Sequence, residues 1–210
     1  MKNNLFIKFT VLTFLLILIN ELLKVALGFD KLMQNYLAEL LTATQIENYF
    51  KLQQKWKFLG YLFIPLFILI KTTLVTSVLY VGVFFFSKIE VAFYKIWSIV
   101  VSAEFIFLLV PIFKLIWLYF FQTTYNLEDF QYFYPLSALN ITGFAIDKWF
   151  IYPFQVLNLF ELAYVIYLGN QIGKITETNS DIGFKIVGYS YLPALLFWVV
   201  LIMFLTLNYS

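Results

Sequence analysis

Three charged side chains and one amide stand within apolar stretches of the sequence, where they could do chemistry inside a membrane. Lys71 and Glu104 lie near the middle of two long apolar runs, and Asn158 and Glu161 lie about one helical turn apart in a third. A charge at the centre of a bilayer costs roughly 2.5–3.5 kcal/mol, so such residues usually face a bundle interior and pair with one another. We therefore expect Lys71 to pair with Glu104 or Glu161.

These four residues allow two interpretations. They could form a relay for protons or ions, or a site for a polar substrate. Alternatively, they could form an internal ion pair that fixes the register of the helices, or a contact with a partner subunit. The immediate neighbours of Glu104 are apolar, whereas a transport path shows more polar lining, and this favours the structural interpretation. Tyr189 and Tyr191 are candidates to complete the polar patch around Asn158 and Glu161.

The missing residue types restrict the chemistry further. The chain has no Cys, no His and no Arg, and all 14 of its basic residues are Lys. These absences exclude thiolate nucleophiles, Ser-His and Cys-His bases, HExxH zinc sites and guanidinium clamps. We therefore predict a non-enzymatic protein with no catalytic residues, no metal and no cofactor. The alternative, a membrane enzyme, would have to take its catalytic group from the carboxylates or from Lys71. With a net charge of +2 and no basic run, it is not expected to bind nucleic acid.

Composition predicts the elements that position these residues. Hydrophobic residues make up 62% of the chain and charged residues 12%, about half the share in a soluble domain. The predicted fold class is all-α, a polytopic transmembrane helical bundle of about five spans forming one domain over residues 1–210. The spans are predicted at residues 5–27, 58–86, 91–121, 151–169 and 186–207. Pro65 is expected to kink the second span.

Residues 30–57 differ from the spans because apolar and polar residues alternate there at helical spacing. This pattern predicts an amphipathic helical hairpin between the first two spans, lying on the membrane surface or over the bundle. Gly28 is expected to end the first span. The sequence TQIE at residues 44–47 predicts a capping box that starts the second helix of the hairpin. The alternative is a solvated connector. Lysines in the short loops favour a cytoplasmic N-terminus.

Three short segments resemble the Yip1-like family of five-span integral membrane proteins, in its bacterial form. Gly188, Tyr189 and Pro193, in the sequence GYSYLP, are similar to the family's GY-x3-P motif. The segment at 134–139 (YPLSAL) and the Tyr152–Pro153 pair are similar to the bacterial members. The resemblance implies a membrane-embedded helical bundle that accompanies transport systems, and a location in the bacterial inner membrane.

These observations predict an accessory or scaffold subunit of a larger membrane complex. The expected partners are the lipid bilayer and other membrane protein subunits. The alternative is a small transporter or channel subunit, which would use the intramembrane carboxylates and the lysine to couple ions or protons.

Overall fold

The computed structural model describes residues 2–87, 89–143 and 146–209. In these ranges the chain is helical, apart from short connections and one isolated β-bridge. The helices are α1 (Lys2–Ala26), α2 (Phe29–Ala38), α3 (Ala43–Phe86), α4 (Phe93–Ala103), α5 (Leu109–Phe120), α6 (Leu127–Tyr132), α7 (Leu139–Thr142), α8 (Lys148–Val156), α9 (Leu159–Ile175) and α10 (Ser180–Tyr209). A 3-10 segment, Glu104–Leu108, joins α4 to α5.

Four helical segments of the described chain are long and apolar enough to cross a membrane. They are Asn4–Ala26, Ala43–Phe86, Phe93–Phe120 and Ser180–Tyr209. These segments contain or closely match the predicted first, second, third and fifth spans. They confirm the all-helical class and indicate a membrane-embedded protein, because a soluble fold could not leave so much apolar surface exposed.

The predicted amphipathic hairpin is only partly present. Gly28 adopts a left-handed conformation (φ 61°) and turns the chain from α1 into α2. The second predicted helix does not exist separately, because it continues into the second span as the 44-residue α3. The start of α3 is also displaced from the predicted box: the Thr42 N–H donates to the side-chain oxygen of Gln45 (2.9 Å). No proline or glycine interrupts residues 43–59, so nothing in the sequence ends the helix there.

The length of α3 has a consequence for its position. At 1.5 Å per residue, its 44 residues measure about 66 Å, roughly twice the thickness of the hydrocarbon core. The polar N-terminal part of α3 therefore extends beyond the membrane. The helix runs through Pro65 without a break. The third span, in contrast to the second, departs from α-helical geometry at its proline. Its 3-10 segment ends three residues before Pro111. Pro111 has no N–H and crowds the carbonyl of the preceding turn, which accounts for this departure.

The predicted fourth span is not a single helix. It is broken at Leu157 and Asn158, between α8 and α9. At this break the backbone pairs with a distant segment: the Ala138 N–H donates to the Leu157 carbonyl (2.8 Å) and the Leu159 N–H to the Leu136 carbonyl (3.1 Å). Leu136 adopts a left-handed backbone (φ 56°) to make this pairing. The segment between α6 and α7 thus supplies the hydrogen bonds that the broken helix lacks.

The main hydrophobic core lies among α3, α4, α9 and α10, and includes Leu79, Val100, Leu168 and Ile186.

Glycine allows α9 and α10 to approach closely. A Cβ atom at Gly183 would lie 2.0 Å from the Gly169 carbonyl oxygen and 2.6 Å from the Gly173 nitrogen. Only glycine fits at position 183, so these helices pack backbone against backbone.

A smaller part of the fold joins α1 to α5 and to the segment after it. Leu23 and Leu27 of α1 and its C-terminal turn pack with Leu118 and Phe130. The Tyr125 hydroxyl donates to the Leu27 carbonyl (3.0 Å), and burial raises the pKa of Tyr125, so the hydroxyl keeps the proton that it donates. This contact holds the loop after α5 against the end of α1.

Candidate functional site

The structure brings Lys71 and Glu104 together between α3 and the start of the 3-10 segment. The Lys71 Nζ lies 2.8 Å from Glu104 Oε2. The Glu104 side chain is 7% exposed, whereas that of Lys71 is 48% exposed. Glu104 therefore faces the bundle interior, as expected, but Lys71 reaches inward from a half-exposed position. The pair is asymmetric in burial, because the bundle encloses the carboxylate but covers only part of the lysine side chain.

Aromatic residues complete the surroundings of this ion pair. The Tyr164 hydroxyl of α9 donates to Glu104 Oε1 (3.2 Å), so both carboxylate oxygens are bonded. The Lys71 Nζ also lies 4.3 Å from the centre of the Phe107 ring, a cation–π distance. Glu104 thus links the third span, to which it belongs, with α3 through Lys71 and with α9 through Tyr164.

Glu161 has a different partner. Its Oε1 accepts a hydrogen bond from the Tyr191 hydroxyl of α10 (2.5 Å), and among the described residues no lysine lies within 4.0 Å of it. The rings of Tyr164 and Tyr191 lie 5.6 Å apart and connect the two carboxylate sites. We call Lys71, Glu104, Tyr164, Glu161 and Tyr191 the polar cluster.

Asn158 has a local role. Its Oδ1 accepts a hydrogen bond from the Glu161 N–H (2.7 Å), and its Nδ2 donates to the carbonyls of Gln155 (2.8 Å) and Val156 (3.0 Å). These bonds cap the N-terminus of α9 and satisfy backbone groups at the break. Asn158 therefore bonds to the backbone, and in the described part of the chain its side chain makes no hydrogen bond to the side chains of the polar cluster.

The residues of the GY-x3-P segment lie elsewhere on α10. Tyr189 is 69% exposed and stacks on Phe86, with ring centres 5.5 Å apart, so it does not join Glu161 as Tyr191 does. A Cβ atom at Gly188 would meet nothing within 4 Å. Pro193 lies inside α10, which continues past it. This segment presents an outward face, apart from Tyr191 and from Ser190, which lies beside Gly82 of α3.

The chemistry open to the polar cluster is limited. In residues 2–87, 89–143 and 146–209, no group of three or more acidic residues is arranged to hold a metal ion. In the same residues, every fully buried side-chain nitrogen or oxygen has a hydrogen-bond partner. The arrangement can neutralise charge and link helices.

Comparisons with protein-family models, with curated proteins and with solved structures found no match. The resemblance to the Yip1-like family therefore stays a prediction.

Tyr164 is the one member of the cluster that the sequence analysis did not single out. Its surroundings in the sequence are apolar on both sides, as they are for many lipid-facing tyrosines. One signal was available: Tyr164 follows Glu161 by three residues, so the two lie on neighbouring positions of one helix face.

Proposed function

We propose that this chain is a non-enzymatic integral membrane protein that serves as an accessory or scaffold subunit of a larger membrane complex. The observation that carries this proposal is the internal pairing of the polar cluster. Lys71 and Tyr164 occupy both oxygens of Glu104, and Tyr191 binds Glu161. Charges that are bonded in this way hold helices in register, and they leave little capacity for binding a substrate.

The exposed surface supports the same function. Helices α1, α3 and α10 expose large apolar side chains along much of their length, including Phe14, Leu62, Phe67, Leu196 and Phe204. Within a bilayer these faces contact lipid or the helices of other subunits. The part of α3 that extends beyond the membrane, together with α2, adds a polar surface for a partner outside the bilayer.

We propose five crossings, with α8 and α9 forming the fourth as a broken helix. Three contacts between the run from Lys148 to Ile175 and α10 support this assignment. As the residue number rises along the first run, the number of its partner in α10 falls. The Tyr152 hydroxyl accepts a hydrogen bond from Trp198 Nε1 (2.9 Å), Glu161 contacts Tyr191, and Gly169 lies beside Gly183. The run from Lys148 to Ile175 thus follows α10 antiparallel along most of its length. A bacterial inner-membrane location with a cytoplasmic N-terminus completes this proposal.

Purification from the native membrane in a mild detergent tests the subunit function. We expect the 24.8 kDa chain to elute with other membrane proteins in a fixed ratio, and the ratio to persist after a second, different affinity step. Recovery of the isolated chain alone, with the helical content intact, would contradict the proposal.

A second candidate, a small transporter or channel subunit, is favoured by one observation. Glu161 has no lysine partner in the described chain and lies in the first turn of a helix that starts at a break, an arrangement that transporters use near the bilayer midplane. Proton flux into vesicles containing the protein tests it. Flux that Glu161→Gln abolishes and the matched Glu90→Gln leaves unchanged would establish transport. Absence of flux above that of empty vesicles would exclude proton transport by the isolated chain.

A further inference from the structure

A cavity of about 370 Å³ lies between α1, α5, α8 and the segment around α6. Its size falls within the roughly 300–1,000 Å³ that is usual for sites that bind small molecules. The lining is apolar over much of its surface, and the polar side chains in it are Asn20, Lys24, Lys114, Gln131, Tyr134 and Gln155. We call this the lysine cavity. It shares no residue with the polar cluster.

The charge of the lysine cavity is not balanced. Two of its lining residues are lysines. Among the described residues, no aspartate or glutamate lines the cavity. Lys24 is 3.1 Å from Glu21, but Glu21 also lies 3.0 Å from Lys57 and so shares its charge between two lysines. Lys114 forms no ion pair within 4.0 Å among the described residues. The cavity therefore has an excess of positive charge.

Among the described residues, the acceptors around the Lys114 ammonium are uncharged. It donates to the Phe130 carbonyl, and it lies 5.0 Å from the centre of the Phe130 ring. A carbonyl and an aromatic face together carry partial negative charge, but neither neutralises an ammonium in a region of low dielectric constant. An ammonium so placed favours an anion that can supply the missing charge.

The polarity of the cavity changes with depth. Helix α1 and the third span run in the same direction, since Leu12 and Leu108 belong to one core cluster and Leu23 and Leu118, further along each, to another. Lys24 lies two residues before the end of α1, and Lys114 lies six residues, or about 9 Å, before the end of α5. Both ammonium groups are therefore near one membrane interface.

The apolar lining lies deeper in the membrane than the lysines. Leu16 precedes Lys24 by eight residues, which places it about 12 Å further from that interface. Phe107 and Val110 precede Lys114 in the same way and line the same cavity. A ligand that fits this gradient carries an anion at its outer end and hydrocarbon at its inner end.

We propose that the lysine cavity binds a membrane phospholipid with an anionic headgroup. The phosphate diester accepts hydrogen bonds from the ammonium groups of Lys114 and Lys24, and the first part of an acyl chain lies against Leu16, Phe107 and Val110. The ligand is bound by charge, so lipids with a net negative headgroup are preferred over zwitterionic lipids. This proposal is independent of the proposed subunit function, because it concerns different residues.

Native mass spectrometry of the purified full chain tests this proposal. The probes are phosphatidylglycerol and phosphatidylcholine with identical acyl chains, added to the protein in mild detergent. We expect the protein to bind phosphatidylglycerol at least tenfold more tightly than phosphatidylcholine. Equal affinity for the two lipids would overturn the proposal. Competition with inorganic phosphate distinguishes the source of the anion: if millimolar phosphate displaces the phosphatidylglycerol completely, the site takes a soluble anion and the lipid assignment is wrong.

Two variants place the binding in the cavity. Lys114→Gln should weaken phosphatidylglycerol binding about tenfold or more, since it removes a charge-assisted hydrogen bond to the phosphate. Lys95→Gln removes the same charge from the first turn of α4, away from the cavity, and should leave binding within about twofold. If Lys114→Gln does not fold, Leu16→Trp fills the apolar end and should lower binding while both lysines remain. Equal binding by wild type, Leu16→Trp and Lys95→Gln would contradict the site.

Discussion

The polar cluster and the lysine cavity place charge in the same membrane-embedded chain in opposite ways. In the polar cluster, Glu104 has one bonded partner for each oxygen, and α9 and α10 around it pack backbone against backbone at Gly183. In the lysine cavity, Lys114 has no carboxylate partner among the described residues, and open volume remains beside it. The difference separates charge that is used to assemble the fold from charge that is available to a ligand. Substitutions at four positions test whether the two regions differ in this way.

The largest effect is expected at Gly183, where α9 and α10 meet. Gly183→Ala places a methyl group 2.0 Å from the Gly169 carbonyl oxygen, and neither backbone can move far. We expect the free energy of unfolding, measured in mixed detergent micelles, to fall by more than about 3 kcal/mol.

Gly188→Ala is the matched control on the same helix, because its Cβ meets nothing within 4 Å. It should change the unfolding free energy by less than about 1 kcal/mol, and towards stability, since alanine favours a helix over glycine. Similar losses for the two variants would show that α9 and α10 do not pack as described.

Loss of the carboxylate of Glu104 is expected to have the next largest effect. Glu104→Gln leaves the Lys71 ammonium without its counter-ion, and we expect a loss of about 2 kcal/mol in the same unfolding measurement. The value is lower than the 3–5 kcal/mol typical of removing one partner of a buried pair, because the side-chain oxygen of Gln can still accept a hydrogen bond from the Lys71 ammonium. Glu90→Gln, in the connection before α4, serves as the control and should have little effect. A loss below about 0.5 kcal/mol at Glu104 would mean that the ion pair does not hold the bundle together.

A smaller effect is expected at Tyr191. Tyr191→Phe removes the only side-chain donor to the Glu161 carboxylate among the described residues, and should cost about 1.5 kcal/mol of unfolding free energy. Tyr189→Phe is the matched control two residues away, and its exposed hydroxyl should contribute almost nothing. If Tyr189→Phe costs as much as Tyr191→Phe, the assignment of Tyr191 to Glu161 is wrong.

The smallest effect is expected in the lysine cavity. Lys114→Met removes an ammonium that lacks a counter-ion, so the lost bond to the Phe130 carbonyl is offset by relief from the burial of a charge. In lipid-free detergent we expect a change within about 1 kcal/mol, in contrast to Glu104→Gln. A loss above about 2 kcal/mol would show that Lys114 belongs to the folded framework, as Glu104 does.

The sequence was sufficient for the features that depend on composition and depth. Long apolar runs locate four membrane-crossing segments, since a helix needs about 20 apolar residues to cross. The meeting of Lys71 with Glu104 follows from two opposite charges at similar depth in adjacent spans. Gly28 ends α1 because it tolerates a left-handed backbone, which can also be read locally.

Features that depend on distant segments could not be predicted in this way. The break at Asn158 is stabilised by backbone pairing with Leu136, more than 20 residues away. Asn158 followed by Glu161 is a local helix-start pattern, but nothing in residues 151–169 reveals the pairing with the distant segment. The contact of Gly183 with Gly169 depends on how two helices cross. Tyr191, and not Tyr189, contacts Glu161 because of the rotation of α10 about its own axis. The sequence does not give this rotation, since the two tyrosines lie on different faces of the helix and either face could point inward.

A double-mutant cycle on Lys71 and Glu104 measures whether the polar cluster holds the helices together through an internal ion pair. The unfolding free energies of Lys71→Met, Glu104→Leu and the double variant are measured against the wild type in the same micelles. We predict a coupling free energy of more than about 1 kcal/mol, with the double variant more stable than Glu104→Leu alone. Losses that add within about 0.5 kcal/mol would contradict the claim.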